Sequence, residues 1–261
     1  MNKVRSTASE HTLALPGPSP IDNRQSALGN LPANLQSAFR NPQSQFDLWA
    51  SIYDTAPNPL LRLEERFLPG ILGEVCRLAV ADLACGTGRW MSWFLQTGAG
   101  ECFGIDFNTA MLKRACGKPG LAGRLVCGDL PQLPFRCGSF DLLLCSFALG
   151  YLASLEPVAA GFSRVLRPGG RLICTDLHPA VESLGWKRSF RNGSGVVELE
   201  SVFHPVPEVV RCFAKSLALV QQQEWFLDEP ERPLFESAGK LAVFHQARQI
   251  PAVVCLEWRK R

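Results

Sequence analysis

The chain has 261 residues, 46% of them hydrophobic and 20% charged, with a formal net charge of +3. This is enough for one large α/β domain, or one domain with an appended arm, and it excludes wholesale disorder and a strongly basic nucleic-acid or anionic-membrane surface as the main partner. The longest apolar stretch, residues 142–153, is shorter than the ~20 residues that span a bilayer, and the opening MNKVRSTASEHTLALPGPSP lacks the apolar core of a secretory leader, so a cytoplasmic protein is expected.

Residues 1–30 scatter Pro16, Gly17, Pro18, Pro20 and Gly29 among polar side chains and read as a flexible arm. Residues 31–73 turn helical. Phe39, Phe46, Trp49 and Tyr53 recur at helical spacing, and after Pro57 and Pro59 a second helical segment, LLRLEERFLPGIL, follows. This stretch is expected to form an N-terminal helical lid on a domain filling residues 74–261.

From Leu78 the pattern alternates. LAVADLA is a short apolar run entering a CGTG turn, RWMSWFLQTG a helix, ECFGID a second strand, and NTAMLKRACG a second helix capped by Asn108. RLVCGD and SFDLLLCSFAL are the third and fourth strands, EPVAAGFSRVLRPGG a helix closed by a Pro-Gly-Gly turn, and RLICTDLH the fifth strand. Strand–helix alternation of this kind predicts a mostly parallel sheet covered on both faces. Residues 178–205 read as a polar insertion, PEVVRCFAKSLAL as a helix, VQQQEWFL as a strand and PAVVCLEWRK as a final strand, with residues 228–250 ambiguous.

The ten cysteines form no C-x-x-C pair and sit mostly in apolar runs, so they read as small buried hydrophobes in a reducing compartment, and no metal site is expected.

The glycine turn VADLACGTGR carries the most information. Gly86 and Gly88 follow a strand and precede a helix, where glycine allows a tight turn and close approach of backbone N–H groups to a ligand. Met91 replaces the third glycine of a dinucleotide fingerprint, and no G-K-S/T is present, so a pyrophosphate is not the ligand. Asp106 ends the second strand, where an acid can accept both hydroxyls of a ribose, and Asp129 ends the third, where an acid can accept from an exocyclic amine beside the Leu130 N–H. Taken singly, the glycines make a plain left-handed turn and each aspartate an N-cap; in this order they describe a site for a nucleoside without phosphates.

VADLACGTGR, FGIDFNTAMLKRA, GDLPQLPF, SFDLLLCSFAL and FSRVLRPGGRLICTD, in that order over residues 78–176, make the sequence resemble the class I S-adenosylmethionine-dependent methyltransferases, in particular the small-molecule type 11 group. The resemblance implies a Rossmann-like three-layer α/β sandwich around a seven-stranded, mostly parallel sheet with its last strand antiparallel. It implies S-adenosyl-L-methionine as cofactor and S-adenosyl-L-homocysteine as product. Gly86 and Gly88 would lie under the methionine part and Asp82 would face its amino group. Asp106 would take the ribose, Phe107 and Met111 would flank the adenine, Asp129 and Leu130 would read its edge, and Ser146 and Phe147 would sit beside the sulfonium. Ala84 stands where many members have glycine, with only a slight change in turn packing expected.

Methyl transfer from a sulfonium needs alignment and exclusion of water, and a hydroxyl acceptor adds the need for a base. His178, His204 and Tyr53 are the catalytic candidates. Arg188 and Arg191 read as an anchor for an acidic substrate or as solvated loop charges, Trp186 and the lid aromatics as a pocket wall or as core, and His11 and His245 as structural. An O- or N-methyltransferase for a small-molecule acceptor is the leading function; a macromolecular acceptor and a non-catalytic cofactor-binding protein are the alternatives. No nucleic-acid or membrane partner is expected, and the oligomeric state is open.

Overall fold

The structure, a computed structural model, describes residues 42–193 and 195–261. The arm expected over residues 1–30, the first part of the lid, Phe39 and His11 lie outside the described residues.

Helix α1 spans Pro42–Ala50 and α2 spans Pro59–Leu72. The Asn58 side chain caps α2 by accepting from the Leu60 N–H at 2.9 Å, and Pro59 occupies the first turn, where a missing N–H costs nothing. Leu60, Glu64, Leu68 and Leu72 form one stripe along this helix. At its other end the Arg171 guanidinium donates to the carbonyls of Ile71 at 2.5 Å and Leu72 at 2.9 Å, and is itself held by Glu257 at 2.7 Å. Leu63, Leu68 and Leu72 are buried. α2, the second helix of the expected lid, is thus packed into the domain core.

The main elements follow in order: β1 (Ala79–Leu83), α3 (Arg89–Gln96), β2 (Glu101–Asp106), α4 (Thr109–Cys116), β3 (Leu125–Cys127), β4 (Phe140–Ser146), α5 (Glu156–Val165) and β5 (Leu166–Leu177). A short hairpin, β6 (Ser189–Asn192) and β7 (Gly195–Glu198), lies in the 178–205 insertion. Then come α6 (Val206–Phe213), β8 (Leu217–Trp225), α7 (Arg232–Ser237), α8 (Leu241–Ala247) and β9 (Val253–Lys260).

The seven-stranded sheet has the order β3-β2-β1-β4-β5-β9-β8. β1 to β5 run parallel, and the last strand, β9, is antiparallel to both β5 and β8. This is the Rossmann-like sandwich expected from the alternation and the resemblance. One face packs Leu143, Cys174, Leu256 and Trp258 against α5 and α6. The other packs Val80, Leu144, Ile173 and Cys255 against α2, α3, α4, α7 and α8. The chain reverses direction across the sheet at β1, which lies between β2 and β4, so a crevice opens at the carboxyl ends of these three strands.

Three stretches differ from expectation. The strand read as starting at Val220 starts at Leu217, shortening α6. Residues 228–250 hold two short helices. The insertion is less polar in effect than in composition, because Phe190, Leu199 and Arg188 are buried. No helix among the described residues is long and apolar enough to cross a membrane. All ten cysteines are free; six are buried as expected, whereas Cys76, Cys116, Cys127 and Cys137 are exposed.

Candidate active site

The turn after β1 bends through three left-handed residues, Ala84 (φ 60°), Gly86 (φ 54°) and Gly88 (φ 77°). The two glycines do different work. A Cβ on Gly86 would meet nothing within 4 Å, so this position faces open space. A Cβ on Gly88 would lie 2.6 Å from Leu121 Cδ1, so Gly88 lets the turn pack against the segment after α4. Ala84 adopts a conformation that costs an L-residue roughly 1–2 kcal/mol. The substitution for glycine thus acts through backbone strain, more than through the slight packing change expected. The turn is laid onto β2: the Cys85 N–H donates to Ile105 O at 2.9 Å, and only glycine fits at 104, where a Cβ would sit 2.7 Å from Cys85 Sγ.

Three acids line the strand ends. Asp82, on β1, is buried, and burial pushes its carboxyl up to about 7 against the pull of the Arg89 guanidinium. Asp106, ending β2, accepts from the Gly86 N–H at 2.8 Å and the Asn108 N–H at 2.8 Å. Burial raises its carboxyl to about 6, with those two N–H groups opposing the rise. Asp106 therefore holds the glycine turn to the start of α4. Asp129 accepts from the Leu130 N–H at 2.8 Å, and burial raises its carboxyl too. The Leu130 N–H expected to read a ring nitrogen is thus already donated to Asp129.

Sequence reasoning missed a fourth acid. Glu64 of α2 is 0% exposed and accepts four side-chain donors. Arg89 and the Trp90 indole, the latter at 3.0 Å, donate to one oxygen. The hydroxyls of Ser146, at 2.8 Å, and Thr175 donate to the other. The signal was present: Glu64 is the one charged residue on the Leu60–Leu72 stripe, and a carboxylate on an apolar face must find partners.

The lid is tied down by polar and aromatic contacts. Asp47 accepts from the Asn108 amide at 2.8 Å, and Asp54 accepts from the Thr87 hydroxyl at 2.6 Å and pairs with Lys118 at 3.0 Å. Phe46 meets Phe107 and Tyr151 edge-on, each at 5.2 Å between centroids. Trp49 stacks on Phe190 of the hairpin at 5.5 Å and meets Tyr53 at 4.8 Å. Met111 is buried in the same cluster. The lid helix and the insertion hairpin therefore form one aromatic roof beside Asp106. Trp186 packs elsewhere, at the edge of the core that contains α2.

Of the catalytic candidates, Tyr53 has Arg89, Glu64, Tyr151 and Asp106 as its electrostatic neighbours, and burial raises its phenol well above the ordinary value. His178 follows β5; its Nδ1 accepts from the Ala180 N–H at 3.1 Å and its Nε2 faces Glu224 at 3.5 Å. His204 Nε2–H donates to Leu152 O at 2.8 Å, and its ring lies near Leu149, Cys174 and Val254, on the α5–α6 side of the sheet. The two histidines thus face different partners. Ser146 ends β4, and Phe147 follows it at φ 52°, its N–H donating to Thr175 O at 2.8 Å. Arg188 pairs with a buried Asp176 and donates to Phe147 O at 3.2 Å, with its guanidinium 4.7 Å from the Tyr151 ring centroid. It braces the roof and is not a solvated loop charge.

Open space at Gly86, flanked by acids at the ends of β1, β2 and β3 and by the hydroxyl ending β4, suits a ligand with an ammonium, a ribose and an amine-bearing base. The residues present fit S-adenosylmethionine.

A family model described as a methyltransferase domain matches residues 81–174. The chain is 28% identical over 228 residues to a demethylmenaquinone methyltransferase of Lactococcus lactis subsp. lactis, covering 81% of this chain and 84% of that one. It is 34% identical over 174 residues to the enzyme so named in Listeria welshimeri, covering 64% of this chain and 67% of that one. Its fold is similar to that of an S-adenosylmethionine-dependent methyltransferase from Mesorhizobium loti, with a TM-score of 0.61 at 21% identity over 78% of this chain and all of the other. Family model, relatives and fold agree: the chain belongs to the class I S-adenosylmethionine-dependent methyltransferases of the type 11 group, and S-adenosylmethionine is its cofactor.

Proposed function

We propose that this methyltransferase acts on an O or N atom of a small, apolar, ring-bearing acceptor. The observation that carries the reading is the aromatic roof of Phe46, Trp49, Tyr53, Phe107, Tyr151 and Phe190 beside the glycine turn. Such a surface favours a planar apolar molecule and offers little to a polyanion. The relatives' name, demethylmenaquinone methyltransferase, supports a small quinone-like acceptor and lends nothing to the choice of O or N, since menaquinone carries its added methyl on a ring carbon.

In this reading the turn of Ala84, Gly86 and Gly88 would lie under the methionine part of the cofactor, Gly86 leaving the space for it and Gly88 packing the turn onto Leu121, and Asp82 would pair with its ammonium. Asp106 accepts from the ribose, Phe107 and Met111 flank the adenine, and Asp129 accepts from the exocyclic amine while Leu130 closes that edge. Ser146 and Phe147 border the sulfonium. The bound cofactor supplies an activated methyl group. The chain supplies alignment and a dry crevice, the lid being held closed by Asp54 and Asp47. Tyr53, kept protonated, donates a hydrogen bond that orients the acceptor. His178 and His204 already have ring nitrogens engaged, so an acceptor atom that arrives nucleophilic suits this site best.

The test is incubation of the full chain with methyl-labelled S-adenosylmethionine and a panel of naphthoquinols, phenols, aromatic amines and carboxylates. Label in a ring-bearing O or N acceptor is expected. Label confined to added RNA or protein would overturn the reading, and label on a ring carbon would overturn the choice of atom.

A further inference from the structure

Glu64 lies behind the strand ends, yet it gathers protons from the groups that border the crevice. Ser146 and Thr175 are register partners at the ends of β4 and β5, and both donate their hydroxyl protons to the same carboxylate oxygen of Glu64. A hydroxyl has one proton and two lone pairs. With its proton held by Glu64, the Ser146 oxygen can only accept from anything on its other side. Thr175 is fully buried, whereas Ser146 is half-buried, so Ser146 is the hydroxyl that meets a ligand. It also lies level with the glycine turn: Cys145 pairs with Leu83, which makes Ser146 the β4 neighbour of Ala84.

The charges do not oppose this. Arg89 bonds Glu64, so the cation nearest the turn is neutralised from behind and does not repel a positively charged ligand. Two ligands that differ by one methyl group, and with it by the charge on sulfur, would feel that difference here.

We propose that Glu64 is a positioning residue that locks the Ser146 hydroxyl as an acceptor facing the crevice and so makes the site prefer the sulfonium of S-adenosylmethionine to the neutral thioether of S-adenosylhomocysteine. The inference rests on the cofactor orientation given above, with its sulfur beside Ser146. Glu64 does not touch the ligand; it acts through Ser146. After transfer the ligand loses its positive charge, and the same hydroxyl then favours exchange of product for fresh cofactor.

The experiment is calorimetric titration of the cofactor-free full chain, Glu64→Gln and Ser146→Ala with each of the two ligands, beside thermal melts. In Ser146→Ala the preference for S-adenosylmethionine over S-adenosylhomocysteine is expected to shrink by about tenfold, the scale of one oxygen dipole facing a cation at close range, with the melting temperature little changed. In Glu64→Gln the preference shrinks similarly and the protein also melts earlier, because four donors lose an anion. Equal weakening of both ligands, or an unchanged preference, in Ser146→Ala overturns the inference whether or not Glu64→Gln folds. Failure of the unaltered chain to bind either ligand would overturn the cofactor site itself, and this inference with it.

Discussion

The Thr87 hydroxyl donates to Asp54 Oδ1 at 2.6 Å, joining the end of the lid to the middle of the glycine turn. Thr87 is fully buried, and Asp54 also pairs with Lys118 at 3.0 Å, so the closed lid is held at the ligand-binding loop itself. Asp54→Ala is expected to leave the fold intact and to speed cofactor dissociation several-fold, since one charge-assisted hydrogen bond contributes roughly 1.5–3 kcal/mol at most and the ion pair is partly exposed. Stopped-flow displacement measures this; an unchanged dissociation rate would show that the aromatic roof alone holds the lid. Deleting residues 1–55, which removes α1 and Tyr53, is expected to abolish turnover.

The two glycines of the turn should separate in their effects. Gly86→Ala places a methyl group in open space at φ 54°, so binding suffers while stability falls by only about 1–2 kcal/mol. Gly88→Ala drives a Cβ against Leu121 at φ 77°, adding a clash to the same strain, so its larger effect is on stability. Thermal melts and cofactor titrations on both variants check the split. A Gly88→Ala protein as stable as Gly86→Ala would contradict it.

The buried acids give the protein a pH signature. Burial lifts Asp82 to about 7 and Asp106 to about 6, above the ~3.9 of an unfolded-chain aspartate. Between about pH 4 and pH 7 the folded chain therefore binds more protons at these sites than the unfolded chain, and their contribution to stability falls as pH rises through that window. Cofactor binding has the opposite sign, because an ammonium and ribose hydroxyls favour ionised carboxylates. Affinity is expected to tighten several-fold from about pH 5.5 to about pH 8, and Asp82→Asn should flatten that rise. A flat profile in the unaltered protein would contradict the pairing.

Much of this site was legible in the sequence because it is local. β2 runs from Glu101 to Asp106, the stretch ECFGID read from its apolar pattern, and Asn108 caps α4 through its neighbour's backbone. The glycine turn and the acids at the strand ends follow from strand–turn–helix order alone. The rest depends on contacts between distant residues. Nothing near Arg171 in sequence says that it caps α2, and nothing near Arg188 says that it pairs with Asp176 under the roof. Glu64 meets Ser146 and Thr175 only because α2 lies across the ends of β4 and β5. The two short helices in residues 228–250 escaped notice because neither is long enough to show a period.

Single-turnover rates of His178→Ala and His204→Ala test whether a histidine takes a proton from the acceptor. Nδ1 of His178 accepts from a backbone N–H and its Nε2 faces Glu224, while Nε2–H of His204 donates to Leu152 O. Rates within a few-fold of normal are expected for both. A loss of about 100-fold with cofactor affinity intact would assign the base to that histidine.

The central claim is that the crevice at the ends of β1, β2 and β4 holds S-adenosylmethionine, with Asp106 on its ribose. Calorimetric titration of Asp106→Ala with S-adenosylmethionine, on protein shown to be folded by its melting curve, tests this most directly. Loss of two charge-assisted hydrogen bonds predicts binding weaker by ~2–4 kcal/mol, tens- to hundreds-fold in affinity. A dissociation constant equal to that of the unaltered chain would contradict the account.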